Sequence, residues 1–173
     1  MRTTLVAVAI AAAVVTLAGC STTPIDTAVA TAQLEPTRGN TTAGTVTFAE
    51  RMGKVHVSAD VSGLAPNREH GFHIHEKGDC SSGDGMSAGG HFNPTGNPHG
   101  PQSAPHHGGD MPSLSADANG RAKASFVLEG ITVAPGPNSV VGRGLIVHED
   151  PDDYKPQPTG NAGARLACAV IRL

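Results

Sequence analysis

Residues 45–61 read TVTFAERMGKVHVSADV. Apolar and polar side chains alternate along both halves of this stretch, with Val46 and Phe48 before Arg51-Met52-Gly53, and Val55 and Val57 after it. A two-residue period is typical of strands that bury one face. A short connection that contains glycine is typical of a hairpin. The stretch therefore predicts two antiparallel strands joined by a tight turn.

The rest of the chain has the composition of an all-β protein. The 22 glycines and 13 prolines, together with only 4 phenylalanines and 1 tyrosine, favour short strands joined by structured loops over long helices. Val, Leu, Ile and Ala must then form most of the core. Further strands are predicted at 28–34, 70–75, 122–128, 144–148 and 167–173.

The first 20 residues have the pattern of a bacterial export signal. Arg2 precedes an apolar run from Leu5 to Val15, which is shorter than the roughly 20 residues that a membrane-spanning helix needs. Leu-Ala-Gly-Cys20 is similar to the lipobox of bacterial lipoproteins, so we expect Cys20 to be acylated. The alternative is an ordinary cleaved signal that leaves a free Cys20.

We predict a short tether at residues 21–26 and a single domain at 27–173, a length that suits one core. The net charge of −3 gives no indication of nucleic-acid binding. With Cys20 lipidated, Cys80 and Cys168 remain as an even pair in an exported protein. They could form a disulfide or, alternatively, supply two thiolates to a metal.

Two long loops separate the predicted strands, at 76–121 and 149–164. The first is rich in glycine and proline and contains four of the nine histidines. A loop of this length in a compact domain needs something to order it, and a bound metal ion is the natural candidate.

The histidines have a spacing that suits metal ions. His73 and His75 lie two residues apart on a predicted strand and would face the same side. His148 ends another predicted strand. In the first loop His91, His99 and His107 recur every eight residues and Asp110 follows, a donor set that suits tetrahedral zinc.

Four motifs resemble the copper/zinc superoxide dismutase family, of the bacterial exported lipoprotein type. They are GFHIHE (71–76), SAGGHFNP (87–94), GRGLIVHE (142–149) and TGNAGARLAC (159–168), in the family's order. The resemblance implies an eight-stranded Greek-key β-barrel, a flattened sandwich, with two long functional loops.

The resemblance also implies the metal ligands. Copper would be bound by His73, His75, His91 and His148, and zinc by His91, His99, His107 and Asp110. His91 would then bridge the two ions. His106 is the alternative to His107, which we prefer because His-Gly-Gly-Asp fits the family's His-Xaa-Gly-Asp. His56 and His70 are expected to be ordinary histidines.

Five further assignments follow from the same resemblance. Cys80 and Cys168 would form the family's disulfide. Asp152 would link a copper-ligand histidine, His73, to a zinc-ligand histidine, His99. Arg165 would draw the superoxide anion to the copper, and His91 would take part in catalysis. Thr159 would narrow the channel, unless it is only a turn residue.

The function expected from this resemblance is conversion of superoxide to oxygen and hydrogen peroxide by copper redox cycling. The enzyme would protect the cell envelope or periplasm, anchored to a membrane through lipid on Cys20. The alternative is a non-catalytic copper- and zinc-binding envelope lipoprotein. The family includes monomers and dimers, so a homodimer stays open.

Overall fold

The structure, a computed structural model, describes residues 28–173. The predicted export signal (1–20), its Cys20, the tether (21–26) and the predicted domain start at Thr27 lie outside the described residues. Within residues 28–173, no helix has both the length and the hydrophobicity needed to cross a membrane.

The described chain consists of antiparallel strands with one short 3₁₀ turn at Met86–Ala88. The strands are β1 (Val29–Pro36), β2 (Ala43–Arg51), β3 (Lys54–Ser62), β4 (Glu69–His70), β5 (Phe72–His75), β6 (Leu114–Ser115), β7 (Ala122–Leu128), β8 (Gly144–His148) and β9 (Arg165–Val170). Seven of them form one sheet in the order β5-β8-β9-β1-β2-β3-β7, and β4 pairs with β6. The predicted all-β class is therefore confirmed.

The predicted hairpin is the β2–β3 pair. Arg51 lies opposite Lys54, so Met52 and Gly53 alone form the turn. Both have positive φ angles, 53° and 74°. Two successive positive φ values characterise the primed turns that match strand twist. A glycine at the second position makes this turn accessible to the chain.

The core lies on the face that the alternation predicted. Val46, Phe48 and Val55 are fully buried, and the polar residues between them point outward. Leu34 from β1 and Leu145 from β8 join the same cluster. Burial of such aliphatic and aromatic side chains contributes roughly 1.5–3 kcal/mol each.

The count of eight strands is not confirmed, because nine strands are assigned within residues 28–173. The predicted strand 70–75 is divided at Gly71 into β4 and β5. The N–H of Gly71 donates to the carbonyl of Asp150, and its own carbonyl accepts from the N–H of His148, each at 2.8 Å. A side chain at Gly71 would lie 2.8 Å from the Cβ of Ala162. The hydrogen bond of Gly71 to Asp150 takes this residue out of the β5–β8 ladder, and the close approach of Ala162 leaves room only for glycine.

Other boundaries also differ from the prediction: β1 is Val29–Pro36 where 28–34 was expected, and β9 ends at Val170 where 173 was expected. The last strand is Arg165–Val170, two residues earlier at its start than expected, because Arg165 already pairs with His148. The first predicted loop contains β6, a two-residue strand that carries no alternating pattern long enough to be recognised.

The edge strand β5 brings the first loop to the site. One edge of β5 pairs with β8, and the other forms isolated bridges between His73 and Asp110 and between His75 and His91. Loop residues that can bind a metal therefore lie directly beside the two strand histidines. The sheet edge thus assembles donors that are far apart in sequence.

A disulfide between Cys80 and Cys168 fastens the first loop to β9, with 5.9 Å between the two Cα atoms. The expected pairing is confirmed, and the two cysteines are not thiolate ligands. On the chain-entropy model, closing a loop of this size stabilises the fold by about 4.6 kcal/mol.

Candidate metal centre

Two clusters of metal-ligating side chains adjoin each other at the β5 edge. Within each cluster, one donor atom from every residue lies within 4.8 Å of the others, and every residue is buried. The first cluster is His73, His75, His91 and His148, and the second is His91, His99, His107 and Asp110. His91 belongs to both.

Strand geometry positions the first cluster. His73 and His75 project from the same side of β5, as residues two apart on a strand must. His148 ends the neighbouring β8, where the ladder to β9 shifts register between Val147 and His148. His91 is added by its bridge to His75.

His73 and His75 on β5 and His148 on β8 each have one ring nitrogen in a hydrogen bond. His73 Nε2 lies 2.7 Å from a carboxylate oxygen of Asp152. His75 Nδ1 donates to the carbonyl of Gly89 at 2.9 Å, and His148 Nδ1 donates to that of Gly163 at 3.3 Å. A carbonyl only accepts, so the proton of His75 and His148 lies on Nδ1.

The other ring nitrogen of each of these three histidines indicates a metal site. His73 Nδ1, His75 Nε2 and His148 Nε2 are buried without a hydrogen-bond partner among the described residues. Buried polar atoms normally have a partner. Three such atoms that converge on one point fit an ion bound by neutral imidazoles, and the donor set suits copper.

The second cluster is built around one carboxylate. Asp110 Oδ1 lies 2.8 Å from His91 Nδ1, 3.0 Å from His99 Nδ1 and 3.4 Å from His107 Nδ1. Its other oxygen accepts from the backbone N–H groups of Gly100 and His107. Three nitrogens and one oxygen are a donor set that zinc accepts in tetrahedral sites.

His91 is placed to serve both clusters. Its Nδ1 faces Asp110 and hence the second cluster. Its Nε2 is therefore the nitrogen left for the first cluster. One imidazole with a nitrogen toward each cluster can join two ions.

The structure separates His106 from His107. His107 is buried in the second cluster, whereas the Nδ1 of His106 lies 2.6 Å from the carbonyl of Ala104. His56 is exposed on β3. His70 is buried, and its Nδ1 lies 2.8 Å from the carbonyl of His148.

Asp152 connects the two clusters from behind. One of its oxygens lies 2.7 Å from His73 Nε2 and the other 3.0 Å from His99 Nε2. The carboxylate is itself buried. Such a contact fixes the orientation of a ring and raises the basicity of its free nitrogen.

The two clusters differ electrostatically. Desolvation lowers the pKa of His73 to about 4, although its hydrogen bond to Asp152 opposes this shift. Desolvation also lowers the pKa of His75 and His148 well below the usual range. At His99 desolvation is outweighed by the carboxylate of Asp110, 3.0 Å from Nδ1, and by the hydrogen bond to Asp152, which together raise its pKa to about 9.

The carboxylates show the converse effect. Burial alone would raise the pKa of Asp110, but its hydrogen bonds to His91 and His99 lower it far below the usual range. Asp152 behaves in the same way through His73 and His99. Both carboxylates are therefore charged, and the second cluster is prepared to receive a cation.

A cavity of about 240 Å³ opens onto the first cluster. His75, His91 and His148 line its floor, and Arg165 and Thr159 line its walls. Arg165 donates from Nη1 to the carbonyl of Gly85 and from Nη2 to that of Gly89, each at 2.7 Å. These two carbonyls hold the guanidinium in place, and Gly89 also accepts from His75.

Two contacts at the second cluster had no signal in the sequence. The ring of Tyr154 stacks on that of His99, with centroids 6.0 Å apart. The side-chain amide of Gln157 is hydrogen-bonded to the backbone of His99. Neither residue belongs to a periodic pattern, and only the path of the second loop brings them to the site.

The edge of this antiparallel β-fold carries two buried donor clusters that share one imidazole. This arrangement is that of a protein that holds two metal ions side by side. Comparison with known proteins gives the family. The profile of the family described as copper/zinc superoxide dismutase (SODC) matches residues 42–171.

Individual relatives agree with this match. The Cu-Zn superoxide dismutase of Paramecium bursaria Chlorella virus 1 is 47% identical over 135 residues, which cover 74% of this chain and 71% of the relative. Cu-Zn superoxide dismutase 2 of Aquifex aeolicus is 40% identical over 136 residues, covering 75% and 78%. The crystal structure of the clock protein EA4 matches with a TM-score of 0.75 and 39% identity, over 84% of this chain and 94% of that one.

The chain belongs to the copper/zinc superoxide dismutase family. It is a superoxide dismutase that uses copper and zinc, and it converts superoxide to oxygen and hydrogen peroxide. The expected enzyme class and cofactors are thereby confirmed, and the non-catalytic alternative is not supported.

Proposed function

We propose that superoxide reacts in the cavity above the first cluster, with copper held by His73, His75, His91 and His148. Zinc would be held by His91, His99, His107 and Asp110. The observation that carries this assignment is the set of buried, unpartnered nitrogens of His73, His75 and His148 beneath the cavity that Arg165 lines. The second cluster is closed around Asp110, as expected of a structural zinc site.

Bound copper would supply two accessible oxidation states, which zinc lacks. The overall reaction joins two superoxide anions and two protons to give one oxygen and one hydrogen peroxide. The chain must therefore attract an anion, leave it room to reach the first cluster, and provide protons.

Arg165 is suited to attract the anion. Its guanidinium keeps a fixed positive charge, and two backbone carbonyls orient it toward the cavity. Burial lowers its pKa, but arginine remains protonated in proteins. A preorganised charge in a partly desolvated site acts more strongly than one in water.

His91 is suited to provide a proton. Its Nδ1 is held on the side of Asp110, so the ring keeps its orientation when the protonation of Nε2 changes. Nε2 can then hold a proton on the side of the cavity and give it to the reduced product. This is the role of His91 that we propose for catalysis.

The acidic second loop does not cancel the attraction. It contains Glu149, Asp150, Asp152 and Asp153 against a single Lys155. Asp150 forms an ion pair with Arg68 at 3.3 Å, and Asp152 is buried between two histidines. Two of the four negative charges are therefore compensated locally, which supports steering by the field around Arg165.

We also propose that the enzyme is an exported lipoprotein, held at a membrane by lipid on Cys20, and that it protects the cell envelope. The sequence of residues 5–20 supports this proposal, and so does the Cys80–Cys168 disulfide, since disulfides persist in oxidising compartments. Mass spectrometry of the Cys20 peptide and release of the Cys20→Ser variant from membranes test it. A Cys20 peptide without lipid would contradict it.

The choice between a monomer and a homodimer stays open, because no exposed apolar surface of the described residues selects one. Within residues 28–173 the exposed large apolar side chains, such as Met52, Val127 and Leu173, are scattered along the chain. Light scattering of the purified protein at micromolar concentration distinguishes a dimer from a monomer.

A matched pair of adjacent variants tests the ligand assignment. His107→Ala should lose zinc, because it removes one nitrogen from the second cluster. His106→Ala should bind zinc as the wild type does. Zinc content after dialysis, measured by elemental analysis, gives the answer. Equal losses in the two variants would contradict the assignment.

A further inference from the structure

The second loop holds the backbone of one metal-cluster histidine through a side chain. The N–H of His99 donates to Oε1 of Gln157 at 2.8 Å, and Nε2 of Gln157 donates to the carbonyl of His99 at 3.0 Å. The two residues are 58 positions apart in sequence. The primary amide of Gln157 thus pairs with the N–H and the carbonyl of one residue, as the backbone of a neighbouring strand would.

This pairing supplies what the local chain lacks. Among the described residues, no backbone group pairs with the N–H or the carbonyl of His99. His99 is only 3% exposed, and buried backbone groups without partners are costly. Gln157 is itself an exposed residue, and its side chain reaches inward to the buried backbone of His99.

His99 is thereby fixed at three points by a single loop. Asp152 holds its Nε2, Tyr154 stacks on its ring, and Gln157 holds its backbone. Gly160 lies so close that a Cβ there would collide with Asp152 and His99. The remaining ring nitrogen, Nδ1, is directed at Asp110.

We propose that Gln157 is a positioning residue for zinc, acting through the backbone of His99. The inference rests on the proposed assignment of zinc to the second cluster. Gln157 does not contact the ion; it keeps the Nδ1 of His99 directed at the zinc position. It also makes zinc binding depend on the loop that lines the cavity at Thr159.

Gln157→Met is the most informative variant. Methionine has nearly the same length and volume but can form neither hydrogen bond, and an exposed position should accept it without loss of folding. Gln157→Ala is the second variant. Gln33→Ala is the matched control, because Gln33 is hydrogen-bonded to Thr45 on β1 and β2, away from the loop.

The experiment measures Zn²⁺ affinity of the full chain by chelator competition, and records the visible spectrum with Co²⁺ in place of zinc. Gln157→Met and Gln157→Ala should bind Zn²⁺ about tenfold more weakly, the lower end of the effect of removing an outer partner of a metal ligand. The Co²⁺ bands should shift, and Cu²⁺ affinity should change much less. Gln33→Ala should match the wild type.

A role in loop stability alone predicts a different result. In that case the metal-free variants would unfold more easily while Zn²⁺ affinity and the Co²⁺ spectrum stayed as in the wild type, and the inference would be overturned. The proposed zinc assignment fails separately, if His107→Ala binds Zn²⁺ as tightly as the wild type. That result would overturn the inference as well.

Discussion

Asp152→Asn should weaken the binding of both metals at once. The carboxylate accepts from His73 Nε2 at 2.7 Å and from His99 Nε2 at 3.0 Å. Asparagine keeps the size of the side chain but offers one acceptor and one NH₂ group. The N–H of one of the two histidines must then point at the NH₂ group of the asparagine, and two donors cannot form a hydrogen bond.

The size of the effect follows from these two bonds. A hydrogen bond to a charged group contributes roughly 1.5–3 kcal/mol, and the site is buried, where an unpaired donor is not compensated by water. Roughly 1.4 kcal/mol corresponds to a factor of ten, so each metal should bind about 10- to 100-fold more weakly. Because asparagine can still serve one histidine, the two losses need not be equal.

Chelator competition with Cu²⁺ and Zn²⁺ measures both affinities. Asp153→Asn is the neighbouring control: its carboxylate accepts only from the loop, from the N–H of Lys155 and from Asn161. It should leave both affinities within a factor of two of the wild type. If Asp152→Asn also stayed within that factor for both metals, the buried carboxylate would not be orienting either histidine.

Three further predictions follow. Arg165→Ala should slow superoxide consumption about tenfold or more at low ionic strength while copper stays bound, because the positive charge beside the cavity is lost. Pulse radiolysis measures the rate, and an unchanged rate would show that Arg165 does not attract the anion. The zinc affinity of the metal-free protein should rise as the pH increases from 7 to 9 and then level off, because zinc must displace the proton that His99 keeps up to a pKa of about 9. Calorimetry in buffers of different ionisation enthalpy counts the protons released on zinc binding. Zinc binding that does not depend on pH would contradict the raised pKa of His99. Replacing Cys80 and Cys168 together by alanine should lower the free energy of unfolding by about 4.6 kcal/mol, as measured by guanidinium denaturation. A loss below about 1 kcal/mol would refute the chain-entropy explanation.

The sequence was sufficient for most of the strands, β6 and the break between β4 and β5 excepted, and for His73, His75 and His148. Alternation placed Val46, Phe48 and Val55 in the core, and the same period placed His73 and His75 on one side of β5. These inferences succeed because strand geometry depends only on near neighbours in the chain.

The loop donors needed the resemblance to a family. Intervals of eight residues among His91, His99 and His107 are compatible with many loop paths, and only the pairing of the loop with the free edge of β5 brings them together. The choice between His106 and His107 depends on the same path. No local rule of spacing contains this information.

Apart from the link of Asp152 to His99, which the family resemblance implies, the contacts between the two loops could not be predicted. Gln157 and Tyr154 reach His99 through a side-chain amide and a stacked ring, and neither contact leaves a period or motif in the sequence. The break at Gly71 was not predictable either. It arises from the hydrogen bond of Gly71 to Asp150, and the space for residue 71 is limited by Ala162; both partners are distant in the chain.

The shared imidazole of His91 is tested most directly by electron paramagnetic resonance of protein loaded with Cu²⁺ in the first cluster and Co²⁺ in the second. If one ring joins the two ions, their spins couple through it, and the Cu²⁺ signal should disappear when Co²⁺ is added and return when zinc replaces it. A Cu²⁺ signal that keeps its full intensity beside bound Co²⁺ would contradict the account.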